Sequence, residues 1–451
     1  MVAPMDAAEW AGRELHFIGV GGAGMSGLAL VAHALGARVT GSDRARSSYS
    51  ERLVALGLEP HVGHDAGWVP PGAEVVVSTA IGADNPELRV ARERAQPVVH
   101  RGELLAQVAR LRRSLAVAGT HGKTTTSGMT AHALAACGRE PAFLIGGELR
   151  AAGTNARWTN GEWIVVEADE SDRSFLALEP DVAAITNVEL DHHATYRSSW
   201  ELDQAFARFA ARSGAVVRWT EVELPGPSRT FGIEAGDLRA SGVELRPLGS
   251  RFAVDGVEVE LGVPGAHNVL NALAALSLCR AAGLEPEEAG PALGGFQGAG
   301  RRFEPRGVAA SGARIFDDYA HHPTEVRATL EAARTLGAER VVACFQPHLY
   351  SRTRALHRDF GRALALADLV LVLDVYPARE AAGDFPGVSG YLVARAAAHA
   401  ARGRRVLWVP GMDEAEAALR AELGPGDVLL TLGAGDVNRL ADRLAVPGAE
   451  P

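Results

Sequence analysis

The chain has 451 residues, of which 47% are hydrophobic and 22% are charged, a composition typical of a folded protein of two to four domains rather than a disordered one. Its net charge of −10 at pH 7 argues against nucleic acid as a general partner. No apolar run is long enough to cross a membrane, and residues 1–10 lack the basic and apolar regions of a signal peptide, so we expect a cytoplasmic protein, monomeric or homodimeric, with no membrane partner.

Residues 1–107 are predicted to form a first α/β domain. An apolar run at residues 15–20 ends in a glycine-rich turn, a helical pattern follows, and residues 38–40 are predicted to form the next strand. A further apolar run at residues 75–77 closes on Ser78. Strands that alternate with helices in this way predict a parallel sheet covered by helices.

Residues 108–300 are predicted to form a second domain. Its strands are predicted at residues 115–118, 163–166 and 182–185. Residues 215–265 contain short alternating segments separated by glycine and proline, a pattern that indicates an antiparallel meander and therefore a mixed sheet. A strongly helical run follows over residues 268–282.

Residues 301–451 are predicted to form a third domain, in which the alternation of strands and helices begins again. Its strands are predicted at residues 313–316, 340–343, 369–373, 406–409 and 428–431. The fold class that the sequence indicates is therefore α/β with three domains and breaks near residues 107 and 300.

The strongest motif is the run Gly119-Thr-His-Gly-Lys-Thr-Thr-Thr126, which follows an apolar strand and begins a helix. In such a loop, backbone N–H groups close around phosphates, the lysine reaches the β- and γ-phosphates, and a following threonine hydroxyl binds Mg²⁺. Lysine and arginine number 45 together, and Lys123 is the single lysine among them. Because a planar guanidinium does not replace a compact ammonium at a tight phosphate site, this motif predicts an ATP site.

A second glycine-rich run, Gly19-x-Gly21-x-x-Gly24, follows the first predicted strand and begins a helix. Asp43 lies at the end of the next strand, as in the fingerprint of dinucleotide-binding domains. The arrangement supplies a cradle for a diphosphate but does not specify which one, so NAD(P), another nucleotide and a tightly packed turn are all compatible with it.

Two acidic clusters follow strands of the second domain, Glu167-Ala-Asp-Glu-Ser-Asp172 and Asn187-Val-Glu-Leu-Asp-His-His193. Carboxylates at strand ends beside a phosphate loop suit Mg²⁺, which prefers oxygen ligands. The alternative is a solvated acidic loop. Structural zinc is a poor fit, since no cysteine accompanies the histidines.

Further polar runs lie at the starts of helices and the ends of strands. Asn268 and Asn271 are three residues apart and therefore face one side of a helix near its start. The run Gly298-Ala-Gly-Arg-Arg-Phe-Glu304 lies at the predicted boundary near residue 300. Asp317-Asp-Tyr-Ala-His-His-Pro323 and Phe345-Gln-Pro-His-Leu-Tyr-Ser-Arg-Thr353 follow successive strands, where polar clusters mark the ligand edge of an α/β sheet.

In this order the motifs resemble those of the Mur ligases of bacterial cell-wall synthesis, and the resemblance covers nearly the whole chain, from residue 18 to residue 436. It implies an N-terminal Rossmann-like domain that holds a UDP-sugar, a central P-loop-type ATPase domain and a C-terminal Rossmann-like domain that closes over the site. The implied cofactors are ATP and Mg²⁺. The implied reaction is phosphorylation of the carboxylate of UDP-N-acetylmuramate by ATP, followed by attack of the L-alanine amine on the acyl phosphate and release of phosphate.

The resemblance also implies a role for each matching position. ATP is expected at Gly119, Thr120, His121, Gly122, Lys123, Thr124 and Thr125. The UDP-sugar is expected at Gly21, Gly22, Ala23, Gly24, Asp43 and Ser78. The metal ligands are expected to be Thr124, Glu167 and His192, with Glu170 as a further candidate. The amino acid is expected at Tyr319, His321, His348 and Arg352. The catalytic set is expected to comprise Lys123, Glu167, His192, Asn268, Asn271, Arg302 and Asp318, with His192 and His348 as candidates for the base that deprotonates the amine.

The chain departs from the motifs of the family at Ala194, Leu349 and Arg379. These three departures bear on recognition of the amino acid and not on the use of ATP. Two other activities stay open: a recycling ligase that adds a whole peptide to the same UDP-sugar, and an NAD-dependent oxidoreductase built on the first glycine loop. The oxidoreductase leaves Lys123 and the acidic clusters unexplained. A non-catalytic nucleotide-binding scaffold would be expected to have lost Lys123 or Glu167.

Overall fold

The computed structural model describes residues 7–193 and 195–448, so that Ala194 lies outside the described residues. The chain divides into two compact units. The first unit runs to Glu189 and resumes over Ser199–Arg239 and Asn271–Leu293, and the second takes Leu190–Ser198, Ala240–Leu270 and the chain from Gly294 onward. None of the helices described here has the length and apolarity that a membrane crossing requires.

The first unit begins with a parallel five-stranded sheet. Its strands are β1 (Glu14–Ile18), β2 (Arg38–Asp43), β3 (His61–Val62), β4 (Glu74–Val77) and β5 (Val98–His100), and its helices are α1 (Ala23–Ala34), α2 (Ser48–Ala55), α3 (Pro86–Glu93) and α4 (Arg101–Ala109). The strand order is β3-β2-β1-β4-β5. Because the order reverses between β1 and β4, the loops after these two strands meet where open α/β sheets bind ligands.

The second sheet is central to the first unit. Its strands there are β6 (Arg113–Ala118), β7 (Ala142–Leu149), β8 (Thr154–Arg157), β9 (Trp163–Glu167), β10 (Val182–Ile185), β11 (Ala215–Trp219) and β12 (Arg229–Ile233), in the order β12-β11-β10-β6-β9-β7-β8. The helices that follow in this part of the chain are α5 (Lys123–Ala136) and α6 (Ser199–Ala211). The strands β6, β9 and β10 are fully apolar at their centres and buried there, which explains why they are continuous hydrophobic runs in the sequence.

The predicted antiparallel meander over residues 215–265 is only partly correct. It is confined to β13 (Leu238–Arg246), β14 (Gly249–Val254) and β15 (Val257–Leu261), which pair antiparallel in chain order. Strands β11 and β12 instead pair in parallel, β11 on β10 and β12 on β11. The prediction failed because short apolar segments reveal that a strand exists but not its direction, which the crossover helix α6 sets for β11.

After the meander come α7 (Ala266–Ala281) and α8 (Pro286–Leu293). The third sheet then contains β16 (Glu304–Val308), β17 (Arg314–Asp318), β18 (Arg340–Phe345), β19 (Leu369–Val372), β20 (Arg405–Trp408) and β21 (Asp427–Leu432), in the order β16-β17-β21-β18-β19-β20. Its helices are α9 (Pro323–Arg334), α10 (Tyr350–Leu364), α11 (Gly390–Ala400), α12 (Met412–Glu422) and α13 (Asn438–Leu444). Apolar clusters cover both faces of this sheet, which is parallel except for β16.

These three sheets confirm the predicted α/β fold class, and one of them lies in each of the three predicted domains. The sequence reading missed the hairpin of β7 and β8, because two successive glycines interrupt the apolar pattern of β7. It also missed the edge strand β16. The break proposed near residue 107 falls in the last turn of α4, and the break near residue 300 falls shortly before β16.

Candidate active site

The loop between β6 and α5 has a conformation that only glycine adopts easily at two positions. Gly119 has φ +136° and Gly122 has φ +81°, both in the left-handed range. A Cβ atom at Gly119 would collide with the Thr186 hydroxyl, and one at Gly122 with the side-chain oxygen of Asn271. The His121 N–H donates to Asn187 Oδ1 over 2.8 Å. The glycines therefore let the backbone pass between side chains at the start of α5, as phosphate-binding loops require.

Lys123 is the first residue of α5, and its ammonium folds back over this loop. Its Nζ donates to the Gly119 carbonyl over 2.6 Å, to the Thr120 carbonyl over 3.2 Å and to Glu170 Oε2 over 2.8 Å. Burial lowers the pKa of Lys123, but the negative charges of Glu170 and its acidic neighbours outweigh burial and raise the pKa above its usual value. The side chain is thus a permanent cation, held over the loop that precedes α5.

Glu167 ends β9 and faces the first turn of α5. Its Oε2 accepts the Thr124 hydroxyl over 2.9 Å and the Gly146 N–H over 2.8 Å. A Cβ atom at Gly146 would lie 2.7 Å from Glu167 Oε1, so the glycine makes room for this carboxylate. A carboxylate and a hydroxyl at the end of a strand, next to a phosphate loop, form a donor set that fits Mg²⁺. Gly146 was not predicted from the sequence because its hairpin was missed.

The remaining residues predicted around ATP lie in both units. In the first unit, the Thr126 hydroxyl donates to Asn271 Oδ1 over 3.3 Å, and His121 Nε2 lies 3.1 Å from Glu189 Oε2. Thr125 is buried in the first turn of α5. In the second unit, Asn268 Nδ2 donates to the Pro264 carbonyl over 2.7 Å. The helix α7 begins at Ala266, so Asn268 is inside its first turn rather than before it.

The glycine loop after β1 leads into α1 without a side-chain cap. The Gly21 N–H donates to Asp43 Oδ2 over 2.9 Å, so this carboxylate holds the loop from the end of β2. In the described part of the chain, the N–H groups of Ala23, Gly24 and Met25 have no backbone acceptor. These three donors at a helix N-terminus are suited to an anion. They belong to residues 23–25, whereas the predicted diphosphate-binding residues begin at Gly21 and end at Gly24. Ser78 directly follows β4, at the same edge of the sheet.

His192 belongs to the second unit, where it has the left-handed φ of +53°. Its N–H donates to Asp191 Oδ1 over 2.7 Å. The same Asp191 accepts both ends of the Arg352 guanidinium, over 2.9 and 3.0 Å, and both side chains are almost fully buried. Arg352 Nη1 lies 3.2 Å from His348 Nδ1. The pair thus connects the predicted metal ligand His192 to the predicted amino-acid residue His348, a link that the sequence did not reveal.

Aromatic rings surround His348. The ring of His348 stacks on Tyr376 at 5.8 Å, and His321 lies 6.3 Å from His348 and 5.2 Å from Tyr319, all between ring centroids. Burial, opposed by the charge of nearby carboxylates, lowers the pKa of His321 to about 3, and burial together with the charge of Arg352 lowers that of His348 to about 4. Both imidazoles are therefore neutral at pH 7.

Asp318 ends β17 and organises the loop that carries Arg302. Its carboxylate accepts the N–H groups of Phe303 and Ala320, each over 2.8 Å. Burial raises the pKa of Asp318 to about 6, against the opposing charge of Arg302. The Arg302 guanidinium lies 5.3 Å from the centroid of the Tyr319 ring. Of the two departures from the family motifs that lie in described residues, Leu349 is buried with φ +69° at the start of α10, and Arg379 is exposed.

Comparison with known proteins identifies related chains. The models described as "Mur ligase family, catalytic domain", "Mur ligase middle domain" and "Mur ligase, glutamate ligase domain" match residues 14–113, 117–279 and 301–435. The UDP-N-acetylmuramate–L-alanine ligases of Rubrobacter xylanophilus and Streptomyces coelicolor are 47% and 45% identical, over 96% and 95% of this chain and 99% and 96% of theirs. The crystal structure of the UDP-N-acetylmuramate–alanine ligase of Thermotoga maritima matches with a TM-score of 0.83 and 31% identity, covering 96% of this chain and 98% of that one. A murein peptide ligase of Psychrobacter arcticus shares the fold, with a TM-score of 0.73 and 23% identity over 96% of this chain and 98% of its own.

Proposed function

The chain belongs to the Mur ligase family, and from this premise we propose that it joins L-alanine to the carboxylate of UDP-N-acetylmuramate at the expense of ATP, in the synthesis of peptidoglycan precursors. The observation that carries the proposal is 47% identity with an L-alanine ligase over 96% of the chain. We assign the UDP-sugar to residues 1–107, ATP to residues 108–300 and the amino acid to residues 301–451.

The reaction has two steps. The carboxylate of UDP-N-acetylmuramate attacks the γ-phosphorus of ATP, which forms an acyl phosphate and releases ADP. The amine of L-alanine then attacks the acyl carbon and gives up a proton to a base, for which His192 and His348 are the candidates. An amide bond forms, and phosphate leaves with the electron pair of the broken C–O bond. The first step brings an anionic carboxylate towards an anionic triphosphate, and the second brings an amine to the electrophilic acyl carbon, so positioning and charge stabilisation supply most of the catalysis.

Lys123 and Glu167 are proposed to perform the first step. The Lys123 ammonium offsets the negative charge that develops between the β- and γ-phosphates. Thr124 and Glu167 would hold Mg²⁺, which supplies further positive charge to the transferring phosphoryl group when it is bound. His192 is a further proposed ligand of Mg²⁺, and the hydrogen bond from its N–H to Asp191 fixes its backbone. Asn271 keeps the loop in place through its contact with the first turns of α5.

The cluster of His321, His348 and Tyr319 is proposed to receive the amino acid in the second unit. Its neutral imidazoles accept or donate hydrogen bonds without adding charge. Arg352 is proposed to act through its contacts with Asp191 and His348, because both of its terminal nitrogens are already used there. Arg302 and Asp318 are proposed to act together, with the carboxylate holding the backbone that presents the guanidinium.

The direct test is phosphate release from ATP in the presence of Mg²⁺ and UDP-N-acetylmuramate. We expect phosphate and ADP only when L-alanine is also present, together with a product whose mass is that of the UDP-sugar plus alanine minus water. Equal turnover with a tripeptide in place of alanine would assign the chain to the peptide-recycling activity instead. Oxidation or reduction of a nicotinamide cofactor without ATP would refute ligation altogether.

The role of Glu167 predicts a selective loss of turnover. Glu167→Gln is expected to lower kcat by ~10²-fold or more, because it removes the carboxylate charge next to the transferring phosphoryl group, while affinity for UDP-N-acetylmuramate changes little. Steady-state kinetics with titrated Mg²⁺ measure both quantities. Glu162→Gln is the matched control, since Glu162 immediately precedes the same strand and its side chain forms an exposed ion pair with Arg113. Normal kcat and normal Mg²⁺ dependence in Glu167→Gln would show that the cluster around Glu167 is a solvated acidic loop and not a metal site.

The first glycine loop predicts a selective loss of sugar-nucleotide binding. A Cβ atom at Gly22 meets nothing closer than the Gly19 carbonyl at 3.7 Å, and Gly22 has φ −78°, so the backbone at this position accepts a side chain that begins with a Cβ atom. Gly22→Val is nevertheless expected to raise KM for UDP-N-acetylmuramate ~10-fold or more, because the side chain occupies the approach of the diphosphate. KM for ATP is expected to change less than twofold. Gly12→Val, at a position with open space, serves as the control. Equal KM values in the two variants would argue against a diphosphate at this loop.

A further inference from the structure

Arg101 lies between the acidic cluster that follows β9 and the first turn of α1, and it was not among the predicted site residues. It is the first residue of α4, directly after β5, and therefore lies at the carboxyl edge of the first sheet. Its Nη2 donates to Asp169 Oδ2 over 2.8 Å and to Asp172 Oδ2 over 3.0 Å, in the acidic cluster that also contains Glu170. Thr79, two residues after β4, donates to the same Asp172 oxygen over 3.3 Å.

The other side of the guanidinium faces the first turn of α1. A Cβ atom built on Gly24 would lie 3.3 Å from Arg101 Nη1. Neither Nη1 nor Nε donates to an acceptor within the described residues, and the side chain is 22% exposed. The unused donors of Arg101 thus lie beside the N–H groups of Ala23, Gly24 and Met25, which have no backbone acceptor in the same part of the chain.

The two aspartates hold the guanidinium in one orientation. Burial lowers the pKa of Arg101, and the charges of Asp169 and Asp172 outweigh burial and raise it. Both carboxylates bond to Nη2 alone, which fixes the plane of the group and directs Nη1 away from them. A guanidinium fixed in this way loses little conformational entropy when it binds an anion, and arginine donors match phosphate oxygens in geometry.

We propose that Arg101 is a further substrate-binding residue, which donates from Nη1 to the diphosphate of the sugar nucleotide at the first turn of α1. The assignment rests on the proposed function, because it takes the diphosphate to lie at that turn. Asp169 and Asp172 are then positioning residues. Asp169 also lies close enough to Lys123 for the lysine charge to lower its pKa, so one acidic loop orients the cations of both nucleotide sites.

The test measures how the affinity of Arg101 variants for UDP and for uridine changes, by calorimetry and by competition on the full-length protein. Arg101→Met is expected to weaken UDP binding at least ~10-fold and uridine binding less than twofold, because uridine has no phosphate. Arg101→Lys, which keeps the charge, is expected to recover part of the UDP affinity. Arg110→Met is the matched control, since Arg110 directly follows the same helix and pairs with the exposed Glu179 at 3.2 Å.

Unchanged UDP affinity in Arg101→Met would overturn the assignment, and an equal loss of UDP and uridine affinity would show that Arg101 only supports the fold of the loop. If the unaltered protein joins alanine to UDP-N-acetylmuramate while Arg101→Met binds UDP normally, only the Arg101 assignment fails. If the unaltered protein binds no UDP at all, the proposed function fails with it.

Discussion

Lys123→Arg is expected to fold normally but to lose at least ~10²-fold in kcat/KM, equivalent to more than ~2.7 kcal/mol of transition-state stabilisation. The Lys123 ammonium fits between the carbonyl groups of Gly119 and Thr120 and the Glu170 carboxylate, at distances of 2.6 to 3.2 Å. A guanidinium is longer and planar, so it does not fit the same three acceptors and still reach the β- and γ-phosphates. The chain uses arginine at every other basic position, which indicates that lysine is required here.

Kinetics and chemical modification both measure this effect. Thermal unfolding and UDP-sugar affinity of Lys123→Arg should match those of the unaltered protein, which separates a catalytic defect from a folding defect. Besides the α-amino group, an amine-directed reagent has one target in the chain, and ATP with Mg²⁺ should protect it. Near-normal turnover of the arginine variant would mean that the single lysine is an accident of composition.

Asp191→Ala is expected to destabilise the second unit by about 3–5 kcal/mol, because it leaves the Arg352 charge buried without a partner. The two side chains are 3% and 4% exposed and form two hydrogen bonds of 2.9 and 3.0 Å. With a urea dependence of about 3 kcal/mol per molar, the unfolding transition that involves this unit should move by about 1–1.7 M. The exposed pair of Asp413 and Arg443 provides the control, and Asp413→Ala should leave the transition in place.

A double variant distinguishes lost charge pairing from lost packing. Asp191→Leu together with Arg352→Met removes both charges, and we expect it to be more stable than either single variant, since buried ion pairs are often replaced by apolar residues at little cost. If the double variant is as unstable as the sum of the two singles, the contribution of the pair is not electrostatic.

The same pair predicts how stability depends on pH. Burial raises the pKa of Asp191, but the charge of the Arg352 guanidinium outweighs burial and holds the pKa far below its usual value. Because the folded-state pKa is depressed, the stabilisation is fully present above the pKa of about 3.9 that an unfolded aspartate has, and it is lost progressively as the pH falls below that value. The stability difference between the unaltered protein and Asp191→Ala should therefore be constant near neutral pH and shrink in acid.

Much of the fold and part of the candidate site could be predicted from the sequence. The strand–loop–helix at Lys123 was predictable because its glycines, lysine and threonines are adjacent in the chain and act together in one turn. The glycine loop after β1 was predictable for the same reason. Asp43 accepts the Gly21 N–H and the Gly19 carbonyl accepts the Gly22 N–H, so within the described residues the N–H groups without a backbone acceptor begin at Ala23. Strands β18, β19 and β21 of the third sheet were predicted because strands buried on both faces are continuous apolar runs.

Other features depend on residues that are far apart in the sequence. Strands β11 and β12 were expected in an antiparallel meander and are parallel, and the β7–β8 hairpin that brings Gly146 to Glu167 was missed. Ionic partners were not predictable either. With 44 arginines and 55 acidic residues in the chain, sequence position does not indicate that Arg352 pairs with Asp191.

The sequence by itself therefore determined the fold class, the family and the positions of the two glycine loops, because each of these depends on short runs of neighbouring residues whose spacing is readable. Only the tertiary structure decided which charged groups meet: Arg101 with Asp169 and Asp172, 68 and 71 residues away, and Arg352 with Asp191, 161 residues away. The physical reason is that a charged side chain is compatible with any opposite charge, and the order of strands in the sheets selects the partner that comes within hydrogen-bonding distance.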